Sequence, residues 1–146
     1  MIVVIRAILA LLAVRHGLFA AWTLLAPRWF YDDFPLPGHP WVAMLPPYNE
    51  HLIRDLGGLS LALTVVLVAA AWRPDRRSAA VAALALLAFT VPHTVFHAGH
   101  LAGFPPADAG AQMVAFGVEL VLALVVLVGS RRLPVATVAP QGQWVA

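Results

Sequence analysis

Four long apolar stretches, separated by short polar punctuation, dominate the chain. They run from about Ile2 to Ala26, Glu50 to Trp72, Ser78 to Gly99 and Ala109 to Gly129. Each supplies the ~20 residues that carry a helix across a bilayer, and connections of this length leave room for four spans. The segment "RPDRR" after Trp72 combines a proline with charges and marks a tight polar turn, and "SRR" closes the fourth stretch. The pattern predicts an all-α fold, an integral membrane four-helix bundle over residues 1–132 with spans near 2–26, 50–72, 78–99 and 109–129. Residues 133–146 lack apolar periodicity and are expected to form a mobile cytoplasmic tail.

The first stretch is expected to be an uncleaved helix. A signal peptide would need a basic leader and an unbroken apolar segment, whereas Arg15-His16 interrupts this one. Residues 27–49, rich in proline and aromatics, read as an ordered interfacial loop able to act as a lid through Trp29, Phe34 and Trp41. Pro92 is expected to kink the third helix.

Composition agrees with a bilayer as solvent: 62% of the residues are hydrophobic, 11% are charged and mean hydropathy is +0.85. The chain has no cysteine, which excludes disulfide and thiolate chemistry. Its basicity comes from nine arginines without a lysine, and a net charge of only +2 argues against nucleic-acid binding. Arg73, Arg76 and Arg77 share one side with Arg131 and Arg132, so the positive-inside rule makes that side, and both termini, cytoplasmic. The expected location is the bacterial inner membrane, multi-pass. Trp22, Trp29, Trp41 and Tyr48 then form an outer aromatic belt.

Ionisable groups within a span cost about 3 kcal/mol each on insertion scales, so they are expected to face a bundle interior or cavity. Arg15 and Glu119 lie at matching depths of about 15 Å from the outer helix ends. They are expected to form a buried ion pair, with His16 nearby and Gln112 one heptad above Glu119. At the start of the second helix, Glu50 with Arg54 and His51 with Asp55 stand four residues apart and are expected to pair. Asn49 is a candidate N-cap.

"PHTVFHAGHL" places His93, His97 and His100 on one helical face. His93 and His100 are about 10 Å apart along the axis, too far to share one ion. A metal is therefore expected to take His93 with His97, or His97 with His100, completed by Asp55, His51 or Glu50. The donor set suits Zn, Fe or Mn; proton relay or binding of a polar ligand are the other uses. Haem between His16 and His93 is a lesser alternative. The histidine boxes of membrane desaturases need more histidines, on the opposite face, and the Glu-x-x-His pairs of diiron bundles are missing.

"PPYNEHLIRDLGGLSLAL" together with "PHTVFHAGHL" resembles a group of small actinobacterial membrane proteins without an assigned activity. In size and hairpin layout the chain is loosely similar to the DoxX-like four-helix proteins. The resemblance implies the bundle and carries over no functional residue. Two functions compete. In one, an outward His/carboxylate pocket holds a metal or small polar ligand, with catalysis of oxidoreductase or hydrolase type as its extension. In the other, a non-catalytic accessory subunit or small transport module keeps its buried charges for structure. Lipid is an expected partner in both, a protein partner and a homo-oligomer are compatible with both, and nucleic acid is expected in neither.

Overall fold

Asn49 and Asp75 set the starts of two of the long helices. The Asn49 side chain accepts from the Leu52 backbone N–H at 3.1 Å. Asp75 accepts from the N–H groups of Arg77 and Ser78, while the Ser78 hydroxyl accepts from the Asp75 N–H, a reciprocal box. Proline at the first helical position opens two further helices, at Pro27 and Pro106, where a missing N–H costs nothing. The computed structural model describes residues 1–45 and 47–135. Its elements are α1 (Ile2–Leu25), α2 (Pro27–Asp33), β1 (Pro35–Leu36), β2 (His39–Pro40), α3 (Glu50–Trp72), α4 (Arg76–Ala98), a 3-10 turn (Leu101–Gly103) and α5 (Pro106–Ser130).

Four of these, α1, α3, α4 and α5, are long and apolar enough to cross a membrane. Large apolar side chains such as Leu18, Val65, Val95 and Val114 cover the outside of the bundle. Small residues take a sizeable share of the inside: Ala70, Ala79, Ala82, Ala83 and Ala123 are buried beside Leu9, Leu67 and Leu86. In hydrocarbon, burial of apolar surface does not drive helices together, and close van der Waals packing over small residues does. α1 packs chiefly on α3, and α4 chiefly on α5. The first contact is closest at Gly57, where an added Cβ would lie 2.6 Å from Thr23 Oγ1 and 2.8 Å from Leu24 Cγ.

The interfacial loop contains α2 and a two-residue antiparallel ladder, with Gly38 at φ 86° in the turn between the strands. Phe19, Trp22, Phe30, Phe34 and Trp41 form an aromatic cluster that seats it on α1, with ring centroids 4.8 Å apart for Phe30–Phe34 and 5.0 Å for Phe19–Phe30. Trp29 packs at a tilt against Trp22 but is largely exposed. α4 continues to Ala98 past Pro92, which has no N–H to offer the Ala88 carbonyl. Of the expected tail, Leu133 is buried and the Pro134 carbonyl accepts from Arg76 N–H at 3.0 Å, joining the two arginine-rich ends. The expectation of mobility beyond residue 135 lies outside the described residues.

Candidate functional site

Asp108, Gln112 and Glu119 are separated by four and seven residues, so they form one stripe along α5. All three are buried. Each meets a partner from a different element, and together they mark a polar seam about 16 Å long that descends from the α2 end of the bundle.

At the top, the His39 ring Nδ1–H donates to Asp108 Oδ1 at 2.8 Å. This bond ties the hairpin to the first turn of α5, where a carboxylate is also favoured by the helix dipole. One turn down, His97 Nδ1–H donates to Gln112 Oε1 at 2.8 Å. That bond directs the Gln112 amide nitrogen elsewhere, and the nitrogen is buried without a hydrogen-bond partner. His93 follows, its ring centroid 4.6 Å from that of His97, 5.1 Å from Phe116 and 5.4 Å from Phe89. His93 makes ring contacts but no hydrogen bond among the described residues.

Glu119 closes the seam. Its Oε2 lies 2.5 Å from Arg15 Nη1, and its Oε1 accepts from His16 Nε2–H at 3.0 Å and from the Thr90 hydroxyl at 2.9 Å. The carboxylate thus joins α1, α4 and α5. Toward the other end the interior turns apolar, with Leu9, Leu12, Leu86, Ala123 and Val126 filling it. The seam is polar in one half of the bundle and packed shut in the other.

The structure brings together Arg15, Glu119 and His16, and separately His97, His93 and Gln112. It does not bring the start of α3 to the histidines. His51 Nε2 lies 3.4 Å from Asp55 Oδ2 and Arg54 Nε 2.9 Å from Glu50 Oε1, both pairs on an exposed face of α3. Arg54 also donates to the Leu24 carbonyl. His100 turns away as well, its Nδ1–H donating to the Phe96 carbonyl at 2.7 Å and its ring stacked on Phe96. Among the described residues no three His, Asp or Glu side chains converge as a metal site. The expected completion of a His93–His97 or His97–His100 pair by Asp55, His51 or Glu50 is therefore replaced by the amide of Gln112. The haem alternative meets a similar obstacle, since His16 is committed to Glu119 and Phe89 contacts both His16 and His93.

Thr90, His39 and Asp108 escaped the sequence reading as site residues. Thr90 lies two residues before Pro92 in an apolar run, and nothing local distinguishes it from a helical threonine bonded to its own backbone. Asp108 had a readable signal, its spacing of four from Gln112. His39 had none, because only the folded loop carries it to α5.

The fold and seam define a small polytopic membrane protein with a one-sided polar interior. Residues 4–130 match the family described as a domain of unknown function, DUF4345, and the chain belongs to that family. No curated protein and no solved structure matches it.

Proposed function

We propose that the upper seam is an outward-facing pocket for a small polar ligand that both donates and accepts hydrogen bonds. His97, His93 and Gln112 form its walls, and the hairpin clasped by His39 and Asp108 covers it. The carrying observation is the orphaned Gln112 amide nitrogen, since a buried donor without an acceptor costs about 1–3 kcal/mol unless something satisfies it. An imidazole that donates through Nδ1 alone keeps Nε2 as an acceptor, so His97 would set an acceptor beside the Gln112 donor. The orientation follows the arginines: the Arg73–Arg77 turn and Arg131–Arg132 are cytoplasmic and the seam opens outward across a bacterial inner membrane. The hairpin layout supports the looser likeness to DoxX-like proteins.

Native mass spectrometry of the detergent-released full chain tests the ligand reading. A retained small-molecule adduct is expected in the wild type and in His51→Ala, and is expected to vanish in Gln112→Leu and His97→Ala. Stoichiometric zinc, iron or manganese that vanishes with His97→Ala would replace this reading with a metal centre.

The accessory-subunit reading has its own support in Glu119, which joins three helices whatever the upper seam does. It predicts no adduct in any variant and a Gln112→Leu protein at least as stable as the wild type, because the orphan donor is gone.

A further inference from the structure

Arg15 reaches Glu119 from the lipid-facing side of α1, and its side chain is 48% exposed while the carboxylate is 4% exposed. A guanidinium carries five N–H donors. Only Nη1 is engaged, by Glu119 and beside His16; Nε and Nη2 have no partner among the described residues. Arg15 lies ten residues from the end of α1 at Leu25, about 15 Å along the axis, deeper than its side chain can snorkel. Free donors at that depth face hydrocarbon, where polar groups are costly unless satisfied.

Arg15 also borders a laterally open groove of about 390 Å³. Leu11, Val14 and Leu18 line its apolar part, and Phe19, Trp22 and Phe34 its aromatic part. The volume falls in the range of small-molecule sites. An acyl chain would fill the space but offer no acceptor. A glycerolipid ester is anchored at the interface, above Arg15. A fatty-acid carboxylate would bring a second negative charge to a guanidinium that Glu119 already neutralises. The groove calls for a neutral acceptor that dissolves within the hydrocarbon and has a flat face for the aromatic rings.

We propose that this groove is a lateral binding site for a lipid-soluble quinone, one ring carbonyl accepting from the free Arg15 donors and the ring packed against the Phe19, Trp22 and Phe34 side chains. The site is reached from the bilayer and is separate from the His97–Gln112 pocket.

Binding of a decyl-substituted benzoquinone to the full chain in detergent, followed by saturable tryptophan quenching and by thermal shift, tests the proposal. Leu18→Trp, which fills the groove while keeping both Arg15 and Glu119, is expected to abolish binding, read by thermal shift; Leu18→Phe serves the same purpose if the tryptophan variant does not fold. Arg15→Lys keeps the charge but loses the planar fork and is expected to weaken binding about 10- to 100-fold. Gln112→Leu and His97→Ala are expected to bind the quinone as the wild type does, which separates this site from the upper pocket. Absence of saturable binding, equal affinity in the Leu18 and Arg15 variants, or preference for oleate or dioleoylglycerol over the quinone would overturn it.

Discussion

His16 Nε2 on α1 lies 3.0 Å from Glu119 Oε1 on α5, so the residue beside Arg15, and not Arg15 alone, holds the buried carboxylate. Consecutive positions on a helix point about 100° apart, and here both reach one acid: His16 from within the bundle, Arg15 along its lipid-facing rim. With Thr90 added, Glu119 is the shared acceptor of three helical neighbours. An unequal response to substitution follows.

Glu119→Leu strands Arg15 and removes the partner of His16 and Thr90, and is expected to cost about 3–5 kcal/mol. Arg15→Leu leaves Glu119 two hydrogen bonds and should cost less. The double variant Arg15→Leu/Glu119→Leu should melt above Glu119→Leu alone in detergent. Strictly additive losses would show that the two residues do not interact.

Two adjacent glycines offer an internally controlled packing test. Gly57→Ala drives a Cβ into Thr23 and Leu24 at the α1–α3 contact and is expected to destabilise by about 1–3 kcal/mol. Nothing lies within 4 Å of a Cβ at Gly58, so Gly58→Ala should be neutral or gain up to about 1 kcal/mol in helix propensity. Equal melting temperatures for the two variants would contradict the close approach at Gly57.

The clasp between His39 and Asp108 should govern access to the upper seam. Because the chain has no cysteine, a single His97→Cys substitution is a clean reporter for a water-soluble maleimide. Labelling is expected to quicken when His39→Ala or Asp108→Asn is added. Unchanged rates would mean that the hairpin does not cover the seam.

Asp75 links the α4 cap to pH. Its carboxyl is held below the usual range first by the Ser78 backbone N–H, with further bonds from the Ser78 side chain and the Arg77 N–H. A lowered folded-state value means that the cap stabilises fully above the unfolded carboxyl value and is lost as pH falls through the lowered one. Protection of the first-turn amides of α4 against hydrogen exchange should therefore fall on acidification below about pH 4. An Asp75→Asn variant should lose that pH dependence, whereas a wild type showing none would remove Asp75 as the titrating cap.

Topology is the remaining test. Reporters placed after Arg132 and within the Arg73–Arg77 turn are expected on the cytoplasmic side, and one at Gly38 on the opposite side. Separation of the first two would break the four-span arrangement.

Hydropathy alone determined the four spans, because a bilayer forces every crossing segment to satisfy its own backbone and to be apolar along about 20 residues. Depth counting also paired Arg15 with Glu119, since helix rise converts position in sequence directly into position across the membrane. Rotation about each helix axis and the choice of neighbours are not written in that count. Asp55 and His51 are expected partners of the histidines, but they pair with each other on an exposed face of α3, and Gln112 takes the place assigned to an acid. Thr90 and His39 join the seam only because α4 packs on α5 and the hairpin folds back over α1. Such choices rest on contacts between elements distant in sequence, down to whether one Cβ fits between Gly57 and Thr23, and only the tertiary structure decides them.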